Sequence, residues 1–107
     1  EDPEGKTDSI AKYDDELIVS ELLFAASRND ITRIRQLIAK GVPVHAGNFD
    51  SRRALHLAAA EGNLETVKLL INFNHPLNVR DRWKSTPLDE AKREKRKSVI
   101  NYLKNFK

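Results

Sequence analysis

The stretch that decides the fold is ALHLAAAEGN, residues 54–63. A similar stretch, ELLFAASRND, lies 33 residues earlier at 21–30, and a third, PLDEAKREKR, lies 33 residues later at 87–96. The offset needs no gap, so Leu22, Leu55 and Leu88 share one position. A fixed period of this length is typical of a repeat architecture in which one small unit recurs. We therefore predict three copies of one unit, at about 15–47 (unit 1), 48–80 (unit 2) and 81–107 (unit 3).

Each unit contains two short helices. Apolar residues recur at three- and four-residue spacing, as in Leu64, Val67 and Leu70, which is typical of one stripe on a helix. In unit 2 we expect helices at about 54–61 and 64–73. Gly62 separates them, since glycine readily adopts the left-handed conformation that ends a helix.

Asn29 and Lys95 occupy the Gly62 position in units 1 and 3. We expect Asn29 to tolerate the left-handed conformation at some cost and Lys95 to fit worse. Gly41 and Asn74 are expected to close the second helices. The stretch after Asn74 is rich in turn residues and is expected to form an outward hairpin.

Helices of two or three turns are not stable alone, so each apolar stripe must be covered by a neighbouring unit. The small residues at Ala25, Ala58 and Ala91 would let adjacent first helices approach closely. The chain is thus predicted to be an all-α solenoid. We expect the first helix to begin near residue 15, capped by Asp14 or Asp15, and residues 1–13 to be a flexible acidic linker before a domain at 14–107.

Composition narrows the function classes. A chain of 107 residues has room for about one domain. It contains no cysteine, which excludes disulfides and thiolate metal sites. It has no apolar run of about 20 residues, and its acidic start is unlike a signal peptide. We expect an intracellular location and favour the cytoplasm.

The 33-residue period and the Thr86-Pro87-Leu88 start of the third unit resemble the ankyrin-repeat family over residues 15–107. The sequence departs from that pattern where Arg53 replaces the capping threonine and Lys95 replaces glycine. The resemblance implies stacked helix-turn-helix repeats joined by short β-hairpin-like loops. It also implies a non-catalytic protein–protein interaction or assembly module.

Two stretches resemble the C-terminal ankyrin segment of animal glutaminases: FDSRRALHLAAAEGN at 49–63 and DRWKSTPLDEA at 81–91. Ankyrin segments of plant integrin-linked-kinase-like and asparaginase-like proteins share similar patterns, so a kinase or channel parent stays an alternative. The likeness to glutaminases implies an accessory module beside a serine-dependent amidohydrolase whose catalytic residues lie outside this chain. It would also admit a mitochondrial location.

Catalysis by this chain itself has little support. His45, His56 and His75 fall at different positions of the repeat, and we interpret His56 as structural, hydrogen-bonded to neighbouring backbone. No glycine-rich phosphate loop is present. We expect no catalytic residues, no metal site and no cofactor.

Family analogy places one set of side chains on the groove formed by loop tips and first helices. These candidate partner-binding residues are Phe49, Asp50, Arg52, Ala60, Glu61, Arg82, Trp83, Ser85 and Arg93. Trp83 is either an anchor for a partner or packs over Phe49 or the next hairpin, and we favour packing. If Trp83 is an anchor, Trp83→Ala with Arg52→Ala is expected to abolish partner capture without changing the fold.

Two alternatives concern the end of the array. Unit 3 carries a basic patch of Lys92, Arg93, Lys95, Arg96 and Lys97, which either is a solvated face or attracts an acidic protein. Nucleic acid or anionic lipid is less favoured, since no interleaved aromatic rings accompany the patch.

Self-association is the other alternative, through exposed apolar end faces formed by Ile18 and Val19 at one end and by Val99, Tyr102 and Phe106 at the other.

Overall fold

The computed structural model describes residues 16–106, which form six α-helices in three pairs. The helices are α1 (Glu16–Ser27), α2 (Ile31–Ala39), α3 (Ala54–Glu61), α4 (Leu64–Asn72), α5 (Pro87–Arg93) and α6 (Lys97–Lys104). The predicted helices of unit 2 are confirmed, with α4 ending one residue early. The predicted cap at Asp14 or Asp15 and the linker at 1–13 lie outside the described residues.

The first helices of the three units pack against one another more closely than the second helices do. The alanines at the shared position explain this, because Ala25, Ala58 and Ala91 are all buried where the helices approach. Close packing on one side and looser packing on the other bends the array towards the first helices. That side, with the loops beside it, is therefore concave.

The core follows the repeat but thins at the last unit. Leu22 and Leu55 are fully buried, whereas Leu88 at the same position is only partly buried. Leu37 and Leu70 are likewise buried, and Leu103 is not. Unit 3 is the last described unit, and none of the described residues covers the outer side of its helices.

Hydrogen bonds between units tie the first helices to the next second helix. The Asn63 side chain donates to the carbonyls of Ala26 and Ser27, both at 3.0 Å. Arg96 holds the Asn63 position in unit 3, and its Nε donates to the carbonyl of Ala60 at 2.8 Å. Carbonyls at helix ends lack intrahelical partners, so these side chains satisfy groups that the helices leave open.

The turn between the paired helices is left-handed in every unit. Asn29, Gly62 and Lys95 have φ values of 59°, 76° and 61°. Side chains with a Cβ are strained in this region, and lysine gains no local hydrogen bond that offsets the strain. The prediction that one position ends all three first helices is confirmed.

We expect Lys95→Gly to raise the free energy of unfolding by roughly 0.5–1 kcal/mol, because glycine relieves the positive φ and the gain exceeds its extra chain entropy. Urea denaturation followed by circular dichroism measures the change. Lys92→Gly, inside α5, is the matched control and should destabilise by about 1 kcal/mol. If Lys95→Gly and Lys92→Gly changed the free energy of unfolding in the same direction, the assignment of strain to Lys95 would be contradicted.

The expected apolar end faces are only partly present. Val19 is 6% exposed and Val99 is fully buried, so including them in exposed faces was wrong. Both side chains belong to the buried core cluster, which also contains residues of α2 and α5. Ile18 and Tyr102 are half-buried, and only Phe106 is exposed as expected. None of the helices in residues 16–106 is long and apolar enough to cross a membrane.

Candidate protein-binding surface

The loops that precede α3 and α5 have the same internal structure. In the first, Asn48 Oδ1 accepts hydrogen bonds from the backbone of Asp50 at 2.9 Å and Arg52 at 3.0 Å. In the second, Asp81 Oδ1 accepts from Trp83 and Ser85, both at 2.9 Å. A short side-chain acceptor at the start of a turn fixes its backbone in this way. The two loop tips are thus held in defined conformations.

The two tips are also joined to each other. The backbone N–H of Arg82 donates to the carbonyl of Asp50 at 2.7 Å, and its guanidinium donates to the Asp50 carboxylate at 3.0 Å. The Arg82 guanidinium also lies 5.3 Å from the centre of the Trp83 ring, within cation–π range. The side chains of Phe49, Asp50, Arg82 and Trp83 on these two joined tips are here called the loop-tip surface.

The aromatic rings of the loop-tip surface face solvent. Phe49 is 88% exposed and Trp83 is 63% exposed. A Trp83 ring that packed over Phe49 would cover much of both rings, so Trp83 does not pack over Phe49; its role as an anchor for a partner stays a prediction. Large exposed rings on a fixed scaffold are what an interaction surface presents to a partner.

Beneath the tips lies a buried ion network. Arg52 donates to the Asp81 carboxylate at 2.8 Å and contacts Glu90 at 3.4 Å. Arg93 forms two bonds to Glu90, at 2.7 and 2.9 Å, and the Ser85 hydroxyl donates to Glu90 at 2.7 Å. Glu90 is 2% exposed. The network joins the loop of unit 2 to the loop and first helix of unit 3.

The network keeps its carboxylates ionised. Burial alone would raise the pKa of Glu90, but hydrogen bonds from Arg93, Ser85 and Arg52 outweigh it and lower the pKa to about 2. Burial opposes ionisation of Asp81 as well, yet the backbone N–H groups of Ser85 and Trp83 hold its pKa below the usual value. The charges are thus compensated inside the protein rather than offered to a ligand.

The candidate residues predicted from the family likeness divide into three environments. Phe49, Glu61, Arg82, Trp83 and Arg93 are exposed, Asp50, Arg52 and Ala60 are half-buried, and Ser85 is buried. Ser85 and Arg52 take part in the ion network and support the loop tips from below. Because Arg52→Ala would break that network, pairing it with Trp83→Ala would not separate binding from folding.

Sequence reasoning missed Asp81 and Glu90, the two acidic members of the network. The 33-residue offset could have pointed to Glu90, because the same position holds Phe24 in unit 1 and Leu57 in unit 2. A carboxylate at a position otherwise apolar requires a cationic partner when it is buried. The partner itself, Arg52, is 38 residues away and is brought to Glu90 only by stacking.

Two of the three histidines, His56 and His75, are buried in structural surroundings, whereas His45 is exposed. His56 accepts from the backbone N–H of Arg53 at 3.0 Å through Nδ1, and its Nε2 lies 2.8 Å from the Ser85 carbonyl. This is the structural role predicted for it. Burial lowers the pKa of His56 and lowers that of His75 to about 4. No group of three His, Cys, Asp or Glu in residues 16–106 is arranged to hold a metal ion.

The basic patch is divided between structure and surface. Arg93 pairs with Glu90, and Arg96 donates to the Ala60 carbonyl. Lys92, Lys95 and Lys97 are exposed. Two of the charges predicted to attract an acidic partner are thus used inside the protein: Arg93 within α5, and Arg96 between units 2 and 3.

A family model described as ankyrin repeats (3 copies) matches residues 22–106. Among curated proteins, the serine/threonine-protein kinase VIK of Arabidopsis thaliana is 37% identical over 87 residues, covering 80% of this chain and 20% of the kinase. The mitochondrial liver isoform of glutaminase from Rattus norvegicus is 39% identical over 90 residues, covering 82% of this chain and 15% of the glutaminase. Potassium channel KOR1 of rice is 36% identical over 88 residues, covering 82% of this chain and 10% of the channel. The chain therefore spans a fifth or less of the length of these relatives.

Proposed function

The chain belongs to the ankyrin-repeat family, and on this premise we propose that it binds a protein partner through its loop-tip surface, with Phe49 and Trp83 as the anchors. Ankyrin repeats are non-catalytic protein-interaction modules that present extended concave surfaces. The observation that carries the proposal is the exposure of both rings on tips that are fixed by Asn48 and Asp81. We propose that this chain performs no catalysis itself.

Fixed tips favour affinity because little conformational entropy is lost when a partner binds. Arg82 contributes in two ways: it stacks on Trp83, and its bond to Asp50 holds the tips together. Glu61, at the end of α3, supplies exposed charge on the first helices beside the loops, and Arg93, at the end of α5, stays exposed to a partner although its guanidinium is paired with Glu90. We assign orientation of the partner to these charges, since rim charges mainly set specificity and association rate.

We further propose that the chain is one module of a larger protein. The relatives include a kinase, glutaminases and a channel, so the homologous segment accompanies unlike activities. Assembly or partner recruitment is a role that such different proteins share. A glutaminase parent is our first proposal, based on the two stretches at 49–63 and 81–91 and on the 39% identity to the rat protein. The domain at 14–107, the acidic linker before it and an intracellular compartment belong to the same proposal.

The anchors are tested with the double variant Phe49→Ala/Trp83→Ala. We expect it to weaken binding at least tenfold, since truncating an anchor costs about 2 kcal/mol or more. Its melting temperature should stay within about 2 °C of the parent value, because both rings are exposed. Partners captured from extracts of the source cells are identified by mass spectrometry, and affinities are then measured by biolayer interferometry.

Phe24→Ala is the matched control, because Phe24 is exposed on α1 rather than on a loop tip. It should leave capture unchanged. The proposal is wrong if the double variant still captures the same proteins with the same affinity. If capture instead disappears with Lys92, Lys95 and Lys97 changed to alanine and falls steeply with salt, the basic patch is the binding surface.

A further inference from the structure

Residues 92–97 are basic except for Glu94. An exposed serine, Ser98, follows them and is not part of the loop-tip surface. Lys95, Arg96 and Lys97 immediately precede Ser98, and the first two residues of the run are also basic. Kinases discriminate among substrates partly by charge pattern around the acceptor. We propose that Ser98 is a phosphorylation site for a serine/threonine kinase that selects basic residues on the N-terminal side of its target.

Comparison between units shows that the second helix of unit 3 lacks the negative charge that the second helices of units 1 and 2 have at their start. Ser98 lies 33 residues after Glu65, which places a carboxylate in the first turn of α4. The first turn of α2 is capped by Asp30, whose side chain accepts a hydrogen bond from the backbone of Arg33. By contrast, Arg96 is the N-cap of α6 and Lys97 is its first residue, and the first turn of α6 contains no acidic residue. Positive side chains at a helix N-terminus oppose the helix dipole.

A phosphate on Ser98 would supply the missing negative charge. It carries nearly two negative charges at neutral pH and three acceptor oxygens. Besides the basic residues before it, Ser98 shares a surface depression with Lys68 of α4, whose ammonium lies 5.6 Å from the centre of the Tyr102 ring. The modification would therefore stabilise α6 and tie it electrostatically to the unit before it.

The position also allows access by a kinase. Helix α6 belongs to the last described unit and has only eight residues, so its first turn can open at low cost. The strained Lys95 turn before it lowers that cost further. In the reaction the Ser98 oxygen forms a bond to the γ-phosphorus of ATP, the bond from that phosphorus to ADP breaks, and the hydroxyl proton passes to the catalytic aspartate of the kinase.

The test incubates the full chain with ATP and the catalytic subunit of a basic-directed serine/threonine kinase, the cAMP-dependent kinase. We expect stoichiometric incorporation at Ser98, located by mass spectrometry. Ser98→Ala should lower the incorporation rate more than tenfold, and Lys95→Ala/Lys97→Ala, which leaves the bond from Arg96 to Ala60 intact, should do the same. An acid-directed kinase, casein kinase 2, is the control enzyme. No incorporation, or incorporation that survives Ser98→Ala, would overturn the proposal.

A second measurement tests the effect on α6 and does not depend on the kinase. Phosphorylated protein should melt about 2–4 °C higher than unmodified protein at low salt, with the difference shrinking at 1 M salt. Ser98→Glu should raise the melting temperature in the same direction, because it restores the carboxylate found at Glu65. Ser98→Gln is the uncharged control. A phosphorylated protein that melts lower than the unmodified one would contradict the structural part of the proposal.

Discussion

Replacing Glu90 with alanine is expected to lower the free energy of unfolding by about 3 kcal/mol. Glu90 is the centre of the buried network, and its removal leaves Arg52 with one carboxylate and the Ser85 hydroxyl without its acceptor. Breaking a buried pair typically costs about 3–5 kcal/mol. The lower end applies because Arg93 retains access to water. For a domain with a total stability of roughly 5–10 kcal/mol, this is a large fraction.

Urea denaturation at pH 7.5, followed by circular dichroism, measures this loss. Glu94→Ala is the matched control, since Glu94 is an exposed acid one turn beyond Glu90 and should change stability by less than about 0.5 kcal/mol. Equal effects of the two substitutions would show that the network does not stabilise the fold. Unit 3 should lose most structure in Glu90→Ala, because the network is its main polar connection to unit 2.

The second large effect is acid sensitivity caused by His75. This side chain is 3% exposed, its Nδ1 donates to the Pro76 carbonyl at 2.8 Å, and its Nε2 is buried without a partner among the described residues. Protonation would place an N–H at Nε2 with no acceptor. Burial therefore lowers the pKa of His75 from 6.5 to about 4, assisted by the charge of Arg53 and the neighbouring histidines.

Because the folded pKa lies below the unfolded one, the stabilisation is complete above pH 6.5 and is lost as the pH falls towards 4. The full loss corresponds to about 3 kcal/mol. His56, whose pKa is also lowered by burial, adds a contribution of the same sign. The pKa of Glu90 is lowered to about 2, so its contribution is lost only below pH 4.5. The His75 effect therefore appears first on acidification.

Unfolding free energies measured at pH 7.5, 5.5 and 4.5 test this prediction. His75→Val should remove most of the dependence in that range, since Val42 holds the same position in unit 1 and shows that the site accepts valine. His45→Asn is the control and should leave most of the dependence intact, because His45 is exposed and burial is the larger cause of the lowered His75 pKa. A His75→Val variant as acid-sensitive as the parent would assign the effect to other groups.

Much of the loop-tip surface was accessible from sequence, yet its internal division was not. Family likeness placed its candidate residues in the loops before α3 and α5, where the exposed Phe49 and Trp83 rings lie, because a fixed period carries each residue to a known position on the unit. It could not tell that Ser85 is buried and Trp83 exposed, although they lie two residues apart. The directions of the side chains along this irregular turn depend on the hydrogen bonds to Asp81; the 33-residue period pairs Asp81 with Asn48 but does not by itself give the geometry of those bonds.

The sequence alone determined that one two-helix unit recurs, the bounds of the two helices of unit 2 to within a residue, and the shared turn position at Asn29, Gly62 and Lys95. These features follow from local spacing and from one repeated period, so they are readable within a single unit. Only the tertiary structure decided that the His75 ring is enclosed and which polar groups meet between units, namely Arg52 with Glu90 and His56 with Ser85. Such contacts join residues about 30–40 positions apart, and their geometry depends on how closely the small alanines let neighbouring units stack.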